Sequence, residues 1–157
     1  MILREPNTDD IEFVEKLLFQ FKGMRVVDIR RSNKGKVLEI TLYDANSPVS
    51  SDDCDRVSEV LSNSEDFYAH FGDQISFQVA SPGIERKLTS LRELTLFVGR
   101  DVLVHFQERG KPKEVVGILL KTVPGKVSFS SEGTLYEVPV EDVNAVRLYY
   151  DFDQDEQ

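Results

Sequence analysis

The stretch Gln78–Leu94, QVASPGIERKLTSLREL, decides how the chain is organised. Up to Ala80 the pattern alternates, with Ile75, Phe77 and Val79 apolar and polar residues between them, which is the two-residue period of a half-buried strand. Ser81-Pro82-Gly83 breaks that period. Proline fixes its own φ and biases Ser81 toward extended backbone, while Gly83 lets the chain turn sharply out of a sheet. A charged Glu85-Arg86-Lys87 follows, and then Ser90 and Glu93 give the capping-box signature of a new short helix with Leu91 and Leu94 inward. Taken alone, such a turn suits a catalytic loop, a phosphate-binding loop or a rigid joint, so the flanking sequence has to discriminate.

On the N-terminal side the pattern predicts helix, hairpin, helix, strand. Asn7 or Thr8 can cap a first helix whose stripe is Ile11, Val14, Leu17, Leu18 and Phe21, with Asp9, Asp10 and Glu12 at the positive end of its dipole. Two strands, 24–31 and 37–44, are joined by Ser32-Asn33-Lys34-Gly35, which reads as a hairpin turn. Ser50 or Ser51 caps a second helix that opens with Asp52, Asp53 and Asp55 and carries Cys54, Val57 and Leu61 inside. An irregular aromatic stretch and a strand over 74–80 complete an α-β-β-α-β two-layer α+β domain of KH type II-like topology.

On the C-terminal side five short β segments are expected near 101–107, 113–122, 125–131, 134–140 and 144–150, separated by Gly/Pro turns. That rhythm predicts a small closed five-stranded β-barrel of SH3-like or Sm-like kind, closure being one way to remove free sheet edges. The expected domains are therefore 1–82, 83–150 with its short helix, and a mobile acidic tail over 151–157.

Composition narrows the function. The 157 residues are 40% hydrophobic and 30% charged, ordinary for a globular chain. No apolar run approaches the roughly 20 residues of a membrane helix, and the N-terminus does not fit a secretory signal, so a cytoplasmic protein without membrane partners is expected. The net charge is −9, unevenly placed: residues 1–81 hold 9 Lys/Arg against 15 Asp/Glu, residues 82–150 hold 10 against 9, and the tail adds four acids. An acidic first half beside a near-neutral second half suits a basic protein partner better than bare phosphate. Closed edges and net repulsion point to a monomer.

Signals for catalysis are missing from the motifs. His70 and His105 fall in different expected domains, neither beside a nucleophile; there is no P-loop, no dinucleotide fingerprint and no metal-ligand spacing, so neither cofactor nor small-molecule substrate is expected. The single cysteine, Cys54, reads as a core filler. The acidic trio reads as helix-dipole complementation rather than a metal site. Two basic groups remain: Arg30, Arg31, Lys34 and Lys36 about the hairpin turn, and Arg109, Lys111 and Lys113 in a barrel loop. Either could touch phosphate within an assembly, or simply keep a turn solvated.

Ser81-Pro82-Gly83-Ile84-Glu85-Arg86, followed by Leu88, resembles the junction signature of the bacterial RimP ribosome-maturation family, with Lys87 where that family usually has proline. The resemblance extends to GMRVVDIRRSNKGKVLEITLYD with SSDDCDRVSEVLS, and to the closing VPVEDVNAVRLYYDF. It implies a non-catalytic assembly factor with an α+β N-terminal domain and an Sm-like barrel. Such a factor binds the immature small ribosomal subunit near its decoding region and helps a basic ribosomal protein to join. Under it, Asp52, Asp53 and Asp55 are candidate acceptors for the basic protein, and Arg30, Arg31 and Lys34 are candidate rRNA contacts. Ser81, Pro82, Gly83, Ile84, Glu85 and Arg86 form the domain junction, with Glu85 and Arg86 tying the domains or facing the partner. Two other readings stay open: a stand-alone RNA-binding adaptor built on the barrel, and a protein-interaction module unrelated to ribosomes.

Overall fold

The computed structural model describes residues 1–150, and the acidic tail over 151–157 lies outside them. The described chain divides into two compact units: Pro6–Pro82, and Met1–Glu5 together with the residues from Gly83 onward.

The first unit starts with α1 (Thr8–Leu17), capped by Asn7, whose side chain accepts from the Asp10 backbone N–H. Strands β1 (Met24–Ser32) and β2 (Val37–Asp44) pair antiparallel, and Asn33 and Lys34 both take positive φ in the turn between them. Helix α2 (Ser51–Ser62) has a full capping box, in which Ser50 and Asp53 bond each other's backbone N–H. A further helix, α3 (Glu65–Phe71), fills the stretch that the sequence reading left irregular; Ser64 caps it and Gly72 follows it. Strand β3 (Ser76–Ala80) then lies parallel to β2, giving the order β1-β2-β3. The parallel pairing requires a crossover, and α2 with α3 supplies it. One core results, with Ile11, Val14 and Leu18 of the α1 region, Val57 and Leu61 of α2, and Phe67 and Phe71 of α3. They meet Val26, Ile29, Leu38, Ile40 and Leu42 of the sheet.

The second unit contains α4 (Leu91–Leu96) and β4 (Asp101–Glu108), β5 (Lys111–Leu119), β6 (Lys126–Ser131), β7 (Thr134–Pro139) and β8 (Val143–Leu148). All pairings are antiparallel, in the order β7-β6-β5-β4-β8. Strand β4 alternates, burying Val102, Val104 and Phe106, and β8 buries Val143, Ala145, Val146 and Leu148 beside it. Phe129 and Tyr136 stack in parallel across β6 and β7 with centroids 4.9 Å apart, and Phe106 meets both edge-on. Gly117 is where β5 and β6 pinch together, since a Cβ there would stand 2.5 Å from the Ser130 carbonyl oxygen. The class is therefore mixed α+β, a three-stranded sheet with helices in one unit and a five-stranded antiparallel sheet in the other.

The five-stranded antiparallel sheet answers the expected small β domain, and its outer strands are β7 and β8. No ladder joins β7 to β8; a single 3-10 turn, Val140–Asp142, links them along the chain. The outer edge of β8 is instead covered by the chain before α4. Leu148 N–H donates to the Arg86 carbonyl at 2.8 Å, and Leu88 N–H to the Val146 carbonyl at 2.7 Å. Leu88 is fully buried beneath this short bridge. A neighbouring segment thus covers this edge of β8.

Candidate interaction surfaces

The junction motif divides at a single peptide bond. Ser81 and Pro82 end the first unit and Gly83 opens the second, with Gly83 at φ 78° and open space where a Cβ would be. Ile84 and Glu85 are exposed, while the Arg86 side chain turns inward: its Nε donates to Glu93 Oε2 at 2.7 Å. Glu93 is completely buried at the third position of α4, and it holds more than Arg86. Arg4 Nη2 donates to Oε1 at 3.0 Å, Ser90 Oγ to the same oxygen at 3.2 Å, and the Thr89 backbone N–H at 3.3 Å. A buried carboxylate needs that many charged and polar donors, because an unpaired one is very costly to desolvate. Arg86 and Arg4 are thus structural partners of one anion. Residues 1–5 belong with the second unit for the same reason, and the Arg4 backbone N–H also reaches the Thr89 carbonyl at 2.9 Å.

Lys87 presents only its backbone to β8, opposite Arg147. The bonds on either side of it use the Arg86 carbonyl and the Leu88 N–H, so the Lys87 N–H turns away from the ladder. Proline at this position would forfeit no ladder bond.

The acidic trio is split by its roles. Asp53 closes the capping box and pairs with Arg56, and these hydrogen bonds, that to the Ser50 backbone first, hold its carboxyl below the ordinary value. Asp52 and Asp55 face solvent. Cys54 is half-buried, and burial followed by the neighbouring Asp53 and Asp55 charges pushes its thiol up, so it stays protonated and weakly nucleophilic. Among the described residues no group of three or more His, Cys, Asp or Glu is placed to hold a metal ion.

The basic hairpin is largely committed to its own unit. Arg30 Nε donates to Asp28 Oδ2 at 2.8 Å, Asp28 being almost wholly buried in β1. Arg31 reaches Asp10 Oδ2 at 3.4 Å, with its guanidinium carbon 5.3 Å from the centre of the Phe71 ring. Lys34, at the tip with φ 58°, is exposed.

Asp10 anchors a cluster that sequence reading did not find. It is 6% exposed, accepts from Asn7 Nδ2 at 2.6 Å, and has His70 Nε2 2.8 Å from Oδ1. The His70 ring stacks on Phe13 at 4.0 Å. Arg31 and His70 lie 21 and 60 residues from Asp10, so no local pattern signals the meeting. In the second unit, His105, Gln107, Lys113, Glu114, Asn144 and Arg147 line an open polar groove.

Charged side chains and exposed loops are what these surfaces offer a partner. The family model of the RimP N-terminal domain matches residues 13–85, ending within the junction motif. The "Ribosome maturation factor RimP" of Nostoc sp. is 30% identical over 130 residues, covering 81% of this chain and 85% of the relative. With identity at that level across most of both chains, this chain belongs to the RimP family of ribosome maturation factors.

Proposed function

We propose that the chain is a non-catalytic assembly factor acting in the cytoplasm as a monomer. It binds the immature small ribosomal subunit near the decoding region and assists a basic ribosomal protein to join it. Family membership carries this reading. The charge distribution supports it: the first unit is strongly acidic, and the arginines in its hairpin are neutralised by Asp28 and Asp10. A surface of that kind steers a basic protein and resists indiscriminate adsorption to RNA. Asp52 and Asp55 are the free acceptors of the trio, with Asp53 mainly holding the helix. Lys34 is the residue of the basic trio best placed to reach rRNA phosphate, while Arg30 and Arg31 would do so only by sharing their carboxylates.

The paired state of Arg30 and Arg31 disfavours the stand-alone RNA adaptor. Co-sedimentation with small-subunit precursors, beside titrations with a basic small-subunit protein and with naked rRNA, separates the readings. The assembly factor is expected to sediment with precursors and to bind the basic protein, with little affinity for naked rRNA. Tight binding to naked rRNA that falls steeply with salt would replace it with the adaptor. Failure to sediment with precursors would remove the ribosomal reading.

A further inference from the structure

Two of the four outer strands of the two sheets, β1 and β8, have a cover. Glu15 Oε2 accepts the Val26 backbone N–H at 3.1 Å, and a bulge at Val27 interrupts the β1 register, so that edge is blocked. Arg86–Leu88 cover β8. Strand β7 has neither device.

The orientation of its backbone follows from the ladder. Leu120 N–H donates to the Ser128 carbonyl at 2.9 Å, which turns Ser128 toward β5. Val127, Phe129 and Ser131 therefore turn toward β7, and their register partners Val138, Tyr136 and Thr134 turn back toward β6. Leu135 and Glu137 are left with N–H and C=O groups aimed outward, in the plane of the sheet. Pro139, on the same parity, has no N–H to leave unpaired, and there it bounds the open edge. Leu135 is 61% exposed, although it is a large aliphatic residue beside unpaired backbone.

Charge selects the occupant. Around this edge Glu132, Glu137, Glu141 and Asp142 are all exposed, against Lys126 on the neighbouring strand. The outer edge of β3 is also uncovered, but its exposed residues Ser76, Gln78 and Ala80 are neutral. We infer that the outer edge of β7 is a strand-addition site for an extended basic segment of a partner protein. Main-chain bonds to Leu135 and Glu137 supply affinity, and the four carboxylates select Lys and Arg side chains. Nucleic acid cannot complete the ladder, because it offers no alternating N–H and C=O groups.

This deepens the proposed function, resting on its basic protein partner, yet its test uses no ribosome. The full chain is titrated with a synthetic peptide of about ten alternating Lys and Val residues, the length of an ordinary strand, and with a Glu/Val counterpart. Amide hydrogen exchange is followed residue by residue. The Lys/Val peptide is expected to bind and to slow exchange at Leu135 and Glu137. Leu135→Pro removes one outward N–H and leaves the β6 ladder intact; it should weaken binding about tenfold, the effect of leaving one hydrogen-bonding group unpaired. Glu137→Lys with Glu141→Lys should also weaken it, retaining the fold even if the proline variant does not. The inference is overturned by absence of binding, by equal binding of the Glu/Val peptide, or by protection at Phe77 and Val79 in place of β7. It is equally overturned by undiminished affinity in the folded variants. Should that happen while co-sedimentation with precursors persists, the docking edge alone is wrong and the assembly reading stands.

Discussion

Each unit buries one carboxylate at the third position of a capped helix, and the two are treated differently. Asp10 follows the Asn7 cap of α1 and gathers Asn7, His70 and a distant Arg31 at 3.4 Å. Glu93 follows the Ser90 cap of α4 and takes two arginines, at 2.7 and 3.0 Å, with a serine and a backbone N–H besides. Asp53 of α2 has the same local signal, yet stays near the surface with Arg56. An acid three residues after a cap is a local device for satisfying helix N–H groups. What tertiary structure adds decides whether it is also the pin of a domain.

The sharpest way to break that comparison is to remove the anions. Glu93→Ala leaves two arginines near a buried site without their partner, and a loss of about 3–5 kcal/mol is expected in urea unfolding of the second unit. Arg86→Ala should come next, at about 2–3 kcal/mol, the range for hydrogen bonds to a charged group. Arg86 is the less exposed of the two arginines, at 16% against 33% for Arg4, so Arg4→Ala should cost less. Asp10→Ala is expected to cost about 1–2 kcal/mol, because its arginine is longer and more open to water. Equal losses for Asp10 and Glu93 would show that the second arginine contributes nothing.

Two smaller effects refine the picture. Asp53 has its carboxyl held below the ordinary 3.8, so its contribution is present above that value and is lost as pH falls through the folded one. Thermal melts of the native chain and Asp53→Asn should therefore differ at neutral pH and converge in strong acid. Lys87→Pro, where no ladder N–H is given up, should stabilise by about 0.4–1 kcal/mol through the unfolded chain. A destabilised proline variant would mean that Lys87 does not sit in the extended geometry inferred from its neighbours.

Much of the local architecture was legible because local residues specify it. Asn7, Ser50 and Ser90 cap their helices, the Asn33–Lys34 turn joins β1 to β2, and the five short segments become β4 to β8. Helix α3 was missed because seven residues rich in Phe and Tyr have too few turns to show a period; its start, at the Ser64 cap with Glu65 and Asp66 behind it, is seen only in the structure. The roles of charged side chains were least legible. Arg30 and Arg31 look like a phosphate contact until Asp28 and Asp10 are seen beside them. Arg86 looks like a partner contact until Glu93 is seen beneath it. Ion pairs between residues tens of positions apart leave no trace in a window of sequence.

The membership of residues 1–5 in the second unit also bears on synthesis. A chain made from its N-terminus has Arg4 in hand long before Thr89 and Glu93, which lie 85 and 89 positions later. Residues 6–82 form a contiguous unit and can condense as soon as they emerge, whereas the opening pentapeptide must wait for α4. Closing so long a loop carries an entropic cost that grows only slowly with length, so the delay is tolerable once a buried carboxylate is there to receive the arginine. Residues 1–5 thus find their place later than the unit that follows them.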